Sequence, residues 1–262
     1  MNWPWWQIAV ALAAAVYGAM RAHELPPLAA LVVAYFVASL PLANVHVALA
    51  GYADLPLAAY YTCAVLASLR WIATRDLRDA ALAVLLAWAC TQIASAGFVW
   101  VATLIPGAIV VFLPARGLKI ATAGLAAILF LLAVLAQTSP TLLGYRLHLD
   151  FDPAWSALFD SYFLLGSWNL LWYGVLGATL LGWRELASRS LAPLTTVVAA
   201  GAIVLFVVVA FPTARVMLAE QMTLHRATLH FAPLLVVFAA LAFRAFALRW
   251  AAAHAGAGAS AT

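Results

Sequence analysis

Charged residues are scarce in this chain of 262 residues: 8% are Asp, Glu, Lys or Arg, whereas 68% are hydrophobic. A soluble domain carries about 25% charged residues. The composition therefore excludes a water-soluble globule, and in lipid the backbone must satisfy its own polar groups. The apolar runs are close to the ~20 residues of a helical span and lack period-two alternation. We expect an all-α, polytopic membrane protein.

Cysteine is also scarce. Cys63 and Cys90 both lie in apolar segments, which predicts buried, inert thiols and argues against a disulfide framework. The formal net charge of +4 does not indicate a nucleic-acid partner, because the distribution of the basic residues has a topological explanation.

Nine apolar segments are expected to cross the membrane: 5–22, 27–45, 56–75, 79–96, 98–115, 118–137, 162–183, 192–211 and 229–248. They form one transmembrane domain over residues 1–250. It has six helices in 1–137, an outer loop at 138–161 and three helices in 162–250, and a flexible tail follows at 251–262.

The basic residues predict the topology of these spans. Only Arg146, Arg215 and Arg226 fall on one side, and the other ten Lys and Arg fall on the opposite side. Positive residues stay cytoplasmic, so the C-terminus is expected inside and, with nine spans, the N-terminus outside. The first span has no charge before it, as expected of a larger membrane protein from which a preceding helix and loop had been removed.

The first outer connection carries a candidate site in the sequence NVHVALAGYADLP. Asp54 stands just before Pro56, which is well placed in the first turn of a helix. One interpretation is that Asp54 caps this helix and interacts with its dipole. The other is a carboxylate at the membrane surface that positions an acceptor or a metal, with His46 and Tyr52 sharing the site.

The last outer connection carries a second candidate site in TLHRATLHFAP. In a helix, Arg226 and His230 share one face. An Arg at the membrane border is a functional candidate, and its planar fork suits a phosphate group. The alternative is an Arg that snorkels to ordinary lipid phosphates. His225 and His230 are candidates for the same phosphate site or for helix packing.

The long outer loop contains GYRLHLDFDPAW. His148, Asp150 and Asp152 alternate, so an extended strand would place all three on one side. Such a set suits a divalent cation such as Mg²⁺ or Mn²⁺, but it lacks a fourth ligand, and a solvated acidic loop is the alternative. Aromatic residues around it are typical of interfacial anchors, or they line a groove for an isoprenoid chain.

Four short segments together resemble a known family. GYADLPLA, TQIASAGFVW, GSWNLLWYG and TLHRATLHFAPL are similar, in this order, to segments of membrane glycosyltransferases of the GT-C fold. The relatives are the bacterial enzymes that use polyprenyl-phosphate sugars, including aminoarabinose transferases of lipid A and protein mannosyltransferases.

The resemblance implies an activity and a location. Such enzymes move a sugar from a polyprenyl-phosphate donor to a lipid, glycan or protein acceptor at the outer face of the bacterial inner membrane. Asp54 matches an acidic residue of the family in an outer loop and would be catalytic. Arg226 matches a basic residue that faces the donor phosphate.

Two departures from the family pattern affect this prediction. The family's principal catalytic Asp stands in a first outer loop that this chain does not have. Relatives also show a Lys-Asn-Glu-Gly type sequence where this chain has Ala94, Ser95, Ala96 and Gly97. We therefore expect a truncated reading, a degenerate paralogue, or a chain whose partner subunit supplies the missing Asp. A further alternative is that Asp54 is the sole base.

Two other classes of function compete with an enzyme. One is a non-catalytic membrane subunit that binds a polyprenyl-linked carrier during assembly of cell-envelope polysaccharide. The other is a transporter, which needs ionisable groups along a path through the membrane. The spans have almost no charge at their centres, and this disfavours transport.

Overall fold

Helices make up nearly all of the structure, a computed structural model that describes residues 3–48, 52–138, 141–142, 145–146, 151–153, 155–211 and 224–259. The α-helices in these ranges are α1 (Trp3–Ala22), α2 (Pro27–Ala38), α3 (Pro41–Ala48), α4 (Asp54–Thr74), α5 (Leu77–Ile93), α6 (Ala96–Ala102), α7 (Leu104–Phe112), α8 (Gly117–Gln137), α9 (Trp155–Phe159), α10 (Leu171–Leu181), α11 (Ala192–Ala210) and α12 (Leu224–Ala259). A π-helical turn, Asp160–Leu164, follows α9. The long predicted outer loop contains a short antiparallel pairing of β1 (Thr141–Leu142) with β2 (Tyr145–Arg146).

Four described helices are long and apolar enough to cross a membrane: α4, α8, α11 and the Leu224–His254 part of α12. The α2–α3 pair, bent by 58°, would be a fifth span. The prediction of a helical protein with membrane-type spans is thus confirmed at this level. The nine spans and the GT-C fold stay predictions, since α5 and α10 are shorter than a full span.

Local sequence explains where several helices end. The predicted span 27–45 is broken between α2 and α3 because Pro41 disfavours helical backbone at the residue before it. Arg75 ends α4 in the left-handed conformation, with φ 59°. Asp76 then caps α5 by accepting a hydrogen bond from the backbone N–H of Arg78 at 2.9 Å, as N-cap residues commonly do.

The core lies between α4, α6, α11 and α12. Its largest fully buried side chains include Tyr61, Trp100, Trp168 and Phe231. By contrast, the apolar surface of α8 is almost entirely exposed, and the helix packs along one edge against α7 and α11. This arrangement places the start of α4 beside the start of α12.

Helix α12 also forms ion pairs near its C-terminal end, far from the Asp54 contact. Arg244 pairs with Glu24 at 3.0 Å, and Arg249 pairs with Glu185 at 2.8 Å. The helix continues to Ala259, past the predicted end of the last span and into the segment predicted as a flexible tail. The first half of α12 therefore contacts the start of α4, and its second half contacts the connections that contain Glu24 and Glu185.

Candidate functional site

Asp54 lies in the first turn of α4, and its side chain points toward α12. The N-cap position of α4 is Ala53, so Asp54 is not the capping residue that one interpretation of the sequence predicts. Asp54 is only 2% exposed. A carboxylate so deeply buried requires charged or hydrogen-bonding partners, because desolvation otherwise makes its ionised form very costly.

Two side chains of α12 supply these partners. Arg226 donates from Nε to both carboxylate oxygens of Asp54, at 3.0 Å to Oδ1 and 2.9 Å to Oδ2. His230, one turn further along the helix, has Nε2 at 2.8 Å from Oδ1. The Arg226 side chain is 33% exposed, so the anion is the buried member of the pair and the cation is the member nearer the surface.

Trp100 of α6 determines which nitrogen of His230 carries the proton. Its indole Nε1 lies 3.0 Å from Nδ1 of His230. An indole N–H can only donate, so Nδ1 must accept and cannot carry a proton. The hydrogen of a neutral imidazole is then on Nε2, from which His230 donates to Asp54. The charges of Asp54 and Arg226 balance, and His230 adds none.

A second layer of contacts holds Trp100 in place. Phe231 stacks on its ring, with centroids 5.5 Å apart and an interplanar angle of 24°. The Tyr61 hydroxyl lies 2.6 Å from Oγ1 of Thr103, and Thr103 uses its own proton to donate to the Trp100 carbonyl. Tyr61 must therefore donate to Thr103, which ties α4 to the segment that carries Trp100.

His46 approaches the carboxylate from α3. Its Nδ1 is 3.7 Å from Oδ2 of Asp54, too far for a hydrogen bond. This nitrogen is buried and has no hydrogen-bond partner. Its ring meets Tyr52 edge to face at 5.5 Å, and Trp5 donates from its indole N–H to the Tyr52 carbonyl at 3.0 Å. His46 therefore lies beside Asp54, and Tyr52 packs against His46.

The other predicted residues do not join this cluster. His225 lies on a different side of α12, where its ring stacks on Trp168 with centroids 6.4 Å apart. Asp152 is exposed, and its backbone N–H donates to the carbonyl of Ala210. His148 and Asp150 lie outside the described residues. Among the residues that the structure describes, no group of three or more His, Cys, Asp or Glu could hold a metal ion.

An apolar cavity of about 410 Å³ lies next to the cluster. It is lined by aromatic and aliphatic side chains of α9, the π-helical turn, α10, α11 and α12, among them Trp155, Tyr162, Trp172, Phe206, Phe231 and Leu235. Phe231 borders both regions, because it lines the cavity and stacks on Trp100. On the same side, the Tyr162 hydroxyl lies 2.7 Å from Oγ1 of Thr228. The cavity therefore begins one residue away from His230.

Trp100→Phe should destabilise the protein by about 1–3 kcal/mol, because it leaves the buried Nδ1 of His230 without its donor. Trp172→Phe is the matched control: it removes the same number of atoms, but the Trp172 indole N–H is buried without a partner. Denaturation of both variants by SDS in detergent micelles measures the difference. Equal losses in the two variants would mean that the indole hydrogen bond of Trp100 contributes nothing beyond packing.

Comparisons of the chain with protein-family models, with curated proteins and with solved structures give no match.

Proposed function

We propose that this chain acts in sugar transfer from a polyprenyl-phosphate donor at a membrane surface, as a glycosyltransferase of the GT-C type. One observation carries the proposal: three of the four segments that resemble this family meet at one place. Asp54 comes from the first segment, Trp100 from the second, and Arg226 and His230 from the fourth. Their contacts join residues up to 176 positions apart in the chain. The third segment packs nearby, where Trp168 stacks on His225.

The geometry of Arg226 suits a phosphate headgroup. Asp54 binds the Nε edge of Arg226, and this contact fixes the plane of the guanidinium fork. A guanidinium held in this way is pre-organised for the paired hydrogen bonds that phosphates accept. Neutralising the charge of the departing polyprenyl phosphate would make it a better leaving group.

The adjoining cavity suits the other half of such a donor. Its lining is almost wholly apolar, and it reaches the site through Phe231. An isoprenoid chain placed there would pack its methylene and methyl groups against this lining; because the surrounding lipid is equally apolar, the gain would come from van der Waals contacts rather than from removal of surface from water. The headgroup would then lie beside Arg226, at the more exposed edge of the cluster.

Asp54 can have two roles in this proposal. As a carboxylate it is the candidate base for the acceptor hydroxyl. However, both of its oxygens already accept hydrogen bonds, and the residue is 2% exposed. This observation favours a second function, in which Asp54 only holds Arg226 and the chain is a non-catalytic subunit that binds the lipid carrier for a partner.

The test uses the purified chain in nanodiscs and measures binding of polyprenyl phosphate and transfer from a labelled polyprenyl-phosphate sugar pool. Arg226→Lys keeps the charge but removes the fork, and it should weaken binding at least about tenfold, as loss of one bidentate contact does. Arg244→Lys is the matched control, because Arg244 pairs with Glu24 at the far end of α12. Equal binding by wild type and Arg226→Lys would refute the headgroup site.

Asp54→Asn separates the two functions. In an enzyme that uses this carboxylate as its base, the variant should retain carrier binding and lose transfer. If the wild-type chain binds the carrier but never transfers sugar, the carrier-binding subunit is the correct function. Full transfer by Asp54→Asn would remove Asp54 from the chemistry.

A further inference from the structure

The site has two histidines next to one carboxylate, and their surroundings differ. His230 is 2% exposed, and both of its ring nitrogens are within hydrogen-bond distance of a partner, Trp100 on one side and Asp54 on the other. His46 has its Nδ1 buried without a hydrogen-bond partner, at 3.7 Å from Asp54. One imidazole therefore has its hydrogen bonds satisfied, and the other has an unused nitrogen that faces a carboxylate.

We propose that Trp100 is a positioning residue that keeps His230 a neutral donor to Asp54, so that proton uptake at this site occurs on His46. A second proton on His230 would have to sit on Nδ1, where it would point at the indole N–H of Trp100. Two donors would then face each other in the buried interior, and the hydrogen bond between Trp100 and His230 would be lost.

His46 has no such obstacle. A proton on its Nδ1 would face Oδ2 of Asp54, and a small displacement of the ring would convert the 3.7 Å separation into a charge-assisted hydrogen bond. Among the described residues, the charged and titratable groups that face the two histidines are Asp54 from α4, Arg226 from α12 and, beside His46, Tyr52. Helix α6 contributes Trp100 and has no ionisable residue within Ala96–Ala102.

The surroundings of Trp100 are those of a residue held in one orientation. The ring is fully buried, it stacks on Phe231, and its backbone carbonyl accepts from Thr103, which in turn accepts from Tyr61. Hydrogen bonds thus connect α4 to Thr103 and Thr103 to Trp100 of α6. Trp100 is in turn connected through His230 to Asp54, at the start of α4. Because this series of contacts begins and ends on α4, the indole N–H cannot turn away from His230 without breaking several of them.

The consequence for ligand binding rests on the proposed function. With His230 neutral, the cluster of Asp54, Arg226 and His230 keeps a net charge of zero while the pH changes. Among the described residues around Asp54, the positive charge added on acidification would come from His46. Binding of a lipid phosphate should therefore strengthen at acidic pH in the wild type, and this strengthening should be lost in His46→Gln.

The experiment is nitrogen NMR of ¹⁵N-histidine-labelled protein in nanodiscs, with His46→Gln and His230→Gln to assign the two rings. In the wild type we expect His230 to carry its proton on Nε2 and none on Nδ1 at every pH at which the protein stays folded, while His46 becomes doubly protonated on acidification. A proton on Nδ1 of His230 would overturn the proposal, and this readout needs no variant of Trp100.

Trp100→Phe then tests the positioning role. In this variant, His230 should lose its single-proton signature and become doubly protonated on acidification, whereas Trp172→Phe should leave the signature unchanged. An unchanged His230 in folded Trp100→Phe would refute the role of Trp100. These spectra contain no lipid carrier, so a failure of polyprenyl-phosphate binding would refute the proposed function and leave this inference standing.

Discussion

Arg226→Ala is expected to destabilise the protein by about 3 kcal/mol, because removing one partner of a buried ion pair leaves the other charge uncompensated. Asp54 is 2% exposed, whereas the Arg226 side chain is 33% exposed. Loss of the arginine therefore strands the member of the pair that cannot reach water. The quantity to measure is the free energy of unfolding in detergent micelles, by titration with SDS.

Asp54 is more deeply buried than Arg226, so the two single substitutions should reduce the free energy of unfolding by different amounts. Asp54→Asn should cost less than Arg226→Ala, since the arginine it leaves behind is partly solvated. Combining the two substitutions should restore part of the stability that Arg226→Ala loses. Arg244→Ala provides the control, because its partner Glu24 is 85% exposed, so that removing the arginine leaves no buried charge, and the pair should contribute less than about 1 kcal/mol. Equal losses for Arg226→Ala and Arg244→Ala would contradict the burial of the pair.

Gly97→Ala is the second substitution with a large expected effect. Gly97 lies in α6, and a Cβ atom at this position would overlap the backbone carbonyl of Cys90 in α5. Backbone cannot rotate away as a side chain can, so α6 must move. Overpacking of this kind costs typically 1–3 kcal/mol, and we expect about 3 kcal/mol here.

The displacement of α6 should also be visible at the site. Trp100 lies one turn after Gly97, so a shift of α6 moves the indole N–H away from His230. Gly124→Ala is the control, because Gly124 is also helical and a Cβ there meets nothing within 4 Å. That change should be neutral or stabilising by up to about 1 kcal/mol, through helix propensity. Thermal unfolding of the two variants compares them, and equal melting temperatures would contradict the close packing of α5 and α6.

The sequence identified much of the candidate site because charge is rare in this chain. Asp54 and Arg226 stood out at the borders of apolar segments, where ionisable groups are costly. Helical spacing also placed Arg226 and His230 on one face, and the structure confirms this placement. Periodicity, however, describes one helix at a time, so it could not predict that Asp54 and Arg226, 172 positions apart, are in contact.

Trp100 was missed for a physical reason. A tryptophan inside an apolar segment is typical of core packing, and its indole N–H becomes informative only when its acceptor is known. The Gly97 and Tyr61 contacts are hidden in the same way, because each depends on a neighbouring helix. For His225 the sequence left two alternatives open, the phosphate site and helix packing; in the structure its ring stacks on Trp168, because successive residues of a helix point about 100° apart.

The helices themselves were predictable where local signals mark their ends. The predicted spans 56–75 and 118–137 lie close to α4 and α8. The predicted span 162–183 differs from the structure because it contains a π-helical turn and two residues with positive φ, Gly166 and Asn169. Hydropathy is insensitive to such breaks, since the side chains on both sides of them are equally apolar.

The distance between two arginines of α12 can be compared with the thickness of a bilayer. Arg226 and Arg244 are 18 residues apart on one continuous helix, a rise of ~27 Å, which is close to the ~30 Å hydrocarbon thickness of a typical bilayer. Each arginine is tied to an acidic residue of another segment, Asp54 or Glu24. The length of α12 between these two arginines therefore matches the separation of the two polar layers of a bilayer. A markedly thicker or thinner bilayer would force the helix to tilt or to break one pair, so lipid chain length should control how deeply the Asp54 site sits.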